Sequence, residues 1–175
     1  MRALYLGRFN PPHNGHICAI EYILEQTDID EIIILIGSGE KAYSLKNPFT
    51  GGERLEMVTS IVREDFNINQ FYITAIPDIN RNTIWAANVA DLVPSFEVVF
   101  TNNPLVQQLF TNLGKKEVRE IPLNNREEFS GKIIREKMIK GEEWKHLVPE
   151  IILPLIDQYN GVKRIRILSK TDEIN

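Results

Sequence analysis

The sequence predicts an α/β fold: a doubly wound, parallel five-stranded sheet with a small C-terminal helical cap. Three observations carry this expectation. Short apolar runs alternate with segments whose apolar residues recur every three or four positions. The second run, Glu31-Ile32-Ile33-Ile34-Leu35-Ile36, is continuously apolar after its first residue, as in strands covered on both faces. After residue 128 the alternation gives way to mainly helical patterning. Strands that alternate with helices imply a parallel sheet with right-handed crossovers.

The elements follow in order. Ala3-Leu4-Tyr5-Leu6 is the first strand, and Ile17, Ile20, Ile23 and Leu24 mark the first helix. Glu31–Ile36 is the second strand, stopped by Gly37-Ser38-Gly39. Thr50 stands three residues before Glu53, a capping-box signature for a helix carrying Leu55, Met57, Val58 and Ile61. Gln70–Ile76 is the third strand, ended by Pro77, and Thr83–Val93 is helical through Ile84, Ala87 and Val89. Phe96–Phe100 is the fourth strand, and Leu105–Leu113 is a helix closed by Gly114. Glu117–Ile121 is polar enough for a sheet edge. Ser130–Ile139 is helical, with Ile133, Ile134 and Met138 on one face and Gly141 at its end. Ile151–Tyr159 is a further apolar segment, whereas Val162–Leu168 suits a helix or a strand equally. The chain therefore reads as one domain, 1–175, with an α/β core over 1–128 and a mainly helical part over 129–175.

Composition narrows the function classes. The chain has 175 residues, 43% hydrophobic and 25% charged, enough to bury a core. A net charge of −4 argues against a general nucleic-acid binder while leaving room for a local basic pocket. One cysteine, Cys18, excludes an internal disulfide and a cysteine metal cluster. Its expected place is a buried position on the first helix, with a nucleophile as the other reading. No run reaches membrane-spanning length and no leader-like segment opens the chain, so a cytoplasmic protein is expected.

In doubly wound sheets ligands sit outside the carboxyl ends of the strands. The loops to inspect are Gly7–His16, Gly37–Thr50, Pro77–Trp85, Thr101–Pro104 and Pro122–Gly131. The first, Gly7-Arg8-Phe9-Asn10-Pro11-Pro12-His13-Asn14-Gly15-His16, joins strand to helix and holds an arginine and two histidines. Free N–H groups and the helix dipole favour an anion there, so phosphate binding leads. Helix capping or metal binding by His13 and His16, three apart, are the other readings. Ser130 either caps the helix it opens or binds phosphate at that helix end. Asp78 either caps the next helix or meets a ribose hydroxyl.

The first loop also resembles the HxGH signature of the nucleotidyltransferase superfamily. Four more segments fall in order and spacing: Asn47–Arg54, Ile76–Trp85, Asn103–Gln107 and Ser130–Arg135. Together they resemble archaeal-type nicotinamide-nucleotide adenylyltransferases, over nearly the whole chain. The resemblance implies a Rossmann-like nucleotidyltransferase fold. It implies adenylyl transfer from ATP, with Mg²⁺, to nicotinamide mononucleotide, giving NAD and pyrophosphate. It implies that His13, His16 and Arg135 contact the triphosphate and that Arg8 and the backbone of Phe9 and Asn10 line the phosphates. Trp85 and Asn82 would meet the nicotinamide, with Asp78 and Ile79 in the same loop. A homo-oligomer is implied too, a hexamer among its forms, with no nucleic-acid or membrane partner.

This chemistry needs no general base, since the attacking 5′-phosphate is already a nucleophile at neutral pH. Alignment and charge stabilisation remain. Arg8, His13, His16, Lys46 and Arg135, with Gly7 and Ser130 in the same turns, supply the donors. A tryptophan face attracts a pyridinium, by roughly 0.5–2 kcal/mol. A core or interface role is the other reading of Trp85, and an inward Arg81 would instead favour nicotinate. The chain departs from the family at Pro12, often aromatic, at Lys132, often threonine, and at Glu136-Lys137, often arginine-rich. Nicotinate mononucleotide or phosphopantetheine as acceptor, and a non-catalytic nucleotide-binding regulator, are the competing readings.

Overall fold

The computed structural model describes residues 1–114, 116–122 and 129–172. Five parallel strands, β1 (Arg2–Gly7), β2 (Glu31–Ile36), β3 (Phe71–Ala75), β4 (Val98–Phe100) and β5 (Glu117–Arg119), form one sheet in the order β3-β2-β1-β4-β5. The helices are α1 (Asn14–Leu24), α2 (Gly51–Asp65), α3 (Asn82–Leu92), α4 (Pro104–Leu113), α5 (Gly131–Lys140), α6 (Leu153–Gln158) and α7 (Gly161–Asp172). The expected α/β class holds, with the polar β5 at one edge. Its β4 and β5 are each two residues shorter than their apolar runs suggested.

Alternation along the strands decides the two layers. Ala3 and Tyr5 of β1, with Ile32, Ile34 and Ile36 of β2, pack against α1 and α2 through Ile20, Ile23, Val58 and Val62. Leu4, Ile33 and Leu35 face the other way, onto Ala86 and Val89 of α3 and Phe110 of α4. Ile32, Ile33, Ile34 and Ile36 have no exposed surface, and full burial stabilises each by roughly 1.5–3 kcal/mol.

The Thr50 box and the Gly141 stop fall where the sequence placed them, and Asn103 adds a cap the sequence reading did not name. Thr50 Oγ1 accepts from Glu53 N at 3.1 Å and Glu53 returns the bond to Thr50 N at 2.9 Å. Asn103 caps α4, accepting from Leu105 N at 3.0 Å, with Pro104 in the first turn. Gly141 ends α5 in the left-handed region, with φ 75°.

The C-terminal helices build a third apolar cluster. Ile134 and Met138 of α5, Ile156 of α6 and Ile165 of α7 surround Phe49, Met57 and Ile61. The ambiguous 162–168 segment is helical because only a three-residue period serves this packing. Val162 and Ile165 turn inward, and Ile167 is left exposed. Arg164 then pairs with Glu53 at 2.6 Å and also donates to the Pro48 carbonyl, tying α7 to the start of α2.

No helix among the described residues is long and apolar enough to cross a membrane.

Candidate active site

Parallel strands put all five carboxyl ends on one side, and the site forms there around the loop after β1. That loop takes a sharp path. Phe9 lies at φ 50° and the Asn10–Pro11 peptide is cis. The Phe9 ring turns into the core, 2% exposed, against Tyr5 and the His16 imidazole. Gly7 stands behind this turn, where an added Cβ would come within 2.7 Å of the Phe9 ring. Gly7, expected among the phosphate-binding residues, thus makes room for the turn and does not line the pocket.

Asn10 is the hub of the turn. Its Oδ1 accepts from Phe49 N at 3.1 Å, and its Nδ2 donates to Asn47 Oδ1 at 3.4 Å. Arg135 Nη1, from the second turn of α5, donates to the Asn10 carbonyl at 2.7 Å. Three chain regions are thereby clamped around a cradle of about 180 Å³. Arg8, Phe9, Asn10, His13, His16, Lys46, Ser130 and Arg135 line it, with Lys132 at its rim. Ser130 precedes α5 but makes no capping bond with its side chain, so the capping reading lapses and its hydroxyl belongs to the cradle wall.

The electrostatics are those of a cationic pocket. Among the described residues no carboxylate lines the cradle, and Arg8, Lys46 and Arg135 have no ion pair. Burial, then the neighbouring Arg8, lowers the Arg135 pKa to about 10. The histidines stack with ring centroids 3.7 Å apart. Burial, then Arg135, lowers His13 to about 4, and burial, then His13, holds His16 well below its ordinary value. Both are neutral at pH 7. His16 Nδ1 accepts from His13 N at 3.1 Å, which assigns the His16 proton to Nε2 as a neutral donor. His13 Nδ1 is buried without a partner among the described residues. The pair also caps α1, where His16 Nδ1 takes the His13 N–H. Among the described residues, no three His, Cys, Asp or Glu side chains are grouped to hold a metal ion.

A larger cavity adjoins the cradle, and another adjoins that one. The first, of about 520 Å³, shares His13 and His16 with the cradle and extends over Tyr5, Thr101, Asn102 and Ile121. The other, of about 550 Å³, is lined by Asp78, Ile79, Asn80, Asn82, Trp85 and the start of α4. Asn103 lines both. Trp85 sits in the first turn of α3, half-buried, with its ring centroid 5.8 Å from that of Phe110 in an edge-on contact. It packs against the core and also lines the cavity. Asp78 does not cap α3, whose N-cap is Arg81. Its carboxylate accepts from Ser38 Oγ and Lys41 Nζ, both at 2.7 Å. Burial opposes its ionisation, but these two bonds outweigh that and keep its pKa below the usual carboxylate range. Arg81 is exposed and does not line the cavity.

A strand-end cradle whose cations have no ion pair among the described residues, together with two larger cavities that meet at Asn103, agrees with what the chain resembles in sequence. The cytidylyltransferase-like family model matches residues 4–137. The chain is 44% identical over 171 residues to the nicotinamide-nucleotide adenylyltransferase of Methanothrix thermoacetophila, covering 98% of each chain. It is 46% identical over 173 residues to that of Picrophilus torridus, covering 99% of this chain and 100% of the other. The chain belongs to the cytidylyltransferase-like family.

Solved structures agree on the fold. A bifunctional NMN adenylyltransferase/ADP ribose pyrophosphatase from Francisella tularensis, complexed with AMP and a manganese ion, superposes with a TM-score of 0.78 at 18% identity. The match covers 99% of this chain and 53% of that longer one. The Plasmodium falciparum nicotinic acid mononucleotide adenylyltransferase, complexed with NaAD, gives 0.62 at 14% identity over 93% of this chain.

For this cytidylyltransferase-like chain, three features lay beyond the sequence reading. Cys18 is exposed and lines the larger His16-side cavity, against the expectation of burial, because α1 turns that face toward the strand ends. The cavity over Thr101, Asn102 and Ile121 was not assigned a ligand. Arg54 is wholly buried in α2 and bonded to both neighbouring loops. Its signal was present in the sequence: an arginine heading the apolar stripe of Met57, Val58 and Ile61. Of the last inspected loop, residues 123–128 lie outside the described residues.

Proposed function

We propose that the chain is a nicotinamide-nucleotide adenylyltransferase, an enzyme that makes NAD and pyrophosphate from ATP and nicotinamide mononucleotide. The single observation supporting this reading is the cradle: Arg8, Lys46 and Arg135 have no ion pair among the described residues, and the cradle shares His13 and His16 with a cavity that in turn shares Asn103 with the Trp85 cavity. The triphosphate takes the cradle, where His13, His16, Arg8, Lys46, Ser130 and Arg135 donate to it. Adenosine takes the cavity that shares the histidines. The mononucleotide takes the cavity walled by Trp85.

A 5′-phosphate oxygen of the mononucleotide attacks the α-phosphorus of ATP. The bond from that phosphorus to the oxygen bridging to the β-phosphate breaks, and pyrophosphate leaves with its electron pair. Donors fixed beforehand stabilise the developing charge without reorganising. His16 gives a neutral Nε2–H and Arg135 a charged fork, so neither has to change protonation state. Among the described residues the cradle offers donors and no carboxylate, which suits a Mg²⁺ that enters with ATP as its counter-ion.

The acceptor cavity favours the amide. Asp78, the one charged lining residue among those described, is paired with Lys41 at 2.7 Å, and no cationic side chain among them lines the cavity to hold the carboxylate of nicotinate. Trp85 supplies an aromatic face for the pyridinium cation. Asn82, at the start of α3, and Ile79 complete that wall. Incubation with ATP, Mg²⁺ and a panel of nicotinamide mononucleotide, nicotinate mononucleotide and phosphopantetheine tests the reading. NAD and pyrophosphate should form, with the amide preferred. Turnover only with phosphopantetheine would sink the acceptor assignment, and ATP binding without any turnover would mean a regulator.

A homo-oligomer in the cytoplasm belongs to the same proposal. The neighbouring helices α3 and α4 expose Ile84 (43%), Leu92 (49%), Leu105 (48%) and Leu113 (39%), a face suited to a second copy of the chain. Sedimentation at micromolar concentration as a monomer would remove it.

A further inference from the structure

The reaction mechanism leaves one buried charge unused. Arg54 is 0% exposed, although it belongs to a residue type that is almost never fully buried without an ionic partner. Its guanidinium meets only backbone carbonyls. Nη1 donates to Arg8 O and Gly37 O, both at 2.9 Å, and Nη2 to Ser38 O at 2.7 Å and Lys41 O at 3.4 Å. Nε reaches Thr50 O at 3.2 Å. Burying a guanidinium is costly when no carboxylate bonds it directly, and Glu40 and Asp78 act on this one only through space. A leucine or methionine there would fill the stripe with Met57 and Val58 more cheaply.

What the guanidinium joins is informative. Arg8 belongs to the triphosphate cradle. Ser38 and Lys41 belong to the loop after β2, and their side chains hold Asp78 at the acceptor cavity. One rigid fork therefore bonds the donor side and the acceptor side at once. We propose that Arg54 is a positioning residue that sets the separation between the ATP cradle and the acceptor cavity. It touches neither nucleotide. It acts through the two loops, holding the attacking phosphate in line with the α-phosphate. A displacement near 1 Å is enough to lower such a rate about 100-fold.

Each loop keeps its own anchors without Arg54. The cradle keeps Asn10 on Phe49 N, and the β2 loop keeps Gly39 N on Ile76 O at 2.7 Å. Loss of the fork should therefore leave each nucleotide site intact and spoil only their relation. This distinguishes positioning from simple support, which would weaken folding and both sites together.

The inference rests on the proposed adenylyl transfer, and wild-type turnover with ATP and nicotinamide mononucleotide, run in parallel, checks that reading separately. In Arg54→Lys, which keeps the charge and loses the planar fork, kcat should fall about 10- to 100-fold. The KM for each nucleotide should stay within about threefold. Wild-type kcat in Arg54→Lys would overturn the proposal, as would a rise in both KM values that tracks a lowered Tm. If Arg54→Lys does not fold, Gly51→Ala decides. A Cβ at Gly51 would lie 2.4 Å from Gly39 O and push the β2 loop away from α2 with Arg54 still in place. A loss confined to kcat would support the proposal, and an unchanged kcat would overturn it.

Discussion

The cradle and the Trp85-walled cavity, each of which shares residues with the cavity over Thr101 and Asn102, are built on opposite plans. The cradle is clamped through Asn10 to the β2–α2 loop and through Arg135 from α5, yet its cations have no counter-charge among the described residues. The Trp85-walled cavity neutralises its one charge among the described residues, Asp78, with Lys41 and Ser38, and its walls are a half-buried tryptophan and an exposed helix start. The difference follows from what each must do. A site that stabilises charge appearing in a transition state works only if its dipoles are aligned beforehand and unspent on the protein. A site that recognises a flat cation can rely on shape and an aromatic face.

The contrast is broken most directly at His16. In His16→Ala, kcat should fall about 100- to 1,000-fold, the usual effect of removing one fixed donor to developing charge. Steady-state kinetics with near-normal KM for the mononucleotide checks this, and an unchanged kcat would remove His16 from the transition state.

The next effect belongs to the same buried pair and is read as stability. The His13 pKa is about 4 in the fold against an ordinary 6.5. Between these values the unfolded chain binds more protons than the native one, so stability is full above pH 6.5 and is lost as pH falls toward 4. The shift corresponds to roughly 3 kcal/mol. Denaturant titrations from pH 7.5 to 4 should show it, and His13→Gln should flatten the slope. A slope unaffected by His13→Gln would place the proton uptake elsewhere.

The smallest effect sharpens the other side. Trp85→Ala should raise the mononucleotide KM about 2- to 30-fold, equivalent to roughly 0.5–2 kcal/mol of cation–π attraction. ATP binding should hardly change. Equal weakening of both nucleotides would make Trp85 a structural residue through its Phe110 contact.

Much of this was legible before any tertiary structure. The continuous isoleucines of β2 can only suit a sheet covered on both faces, and the Thr50/Glu53 box names the start of α2 without ambiguity. His13 and His16 could be placed because helix geometry is local: a spacing of three brings them to one helix mouth. Asn10 was less legible. Its side chain is spent on Phe49 and Asn47, partners 39 and 37 residues away, and no local rule points to them. Arg54 carried a signal, a charge on an apolar stripe, but its meaning depends on carbonyls from two other loops. The burial expected of Cys18 failed because α1 presents that position to a cavity that exists only once β4 and β5 are in place.

The sequence by itself determined most of the elements, the Gly7–His16 turn and the residue types gathered in it, since periodicity, caps and turn chemistry act within a few residues of chain. Tertiary structure alone decided which donors remain unpaired, which histidine nitrogen carries the proton, and how the two cavities are spaced. Those properties depend on burial and on hydrogen bonds between groups distant in the chain. The Gly7–His16 turn supplies donors, and Asn10, Arg135 and Arg54 make them into a site.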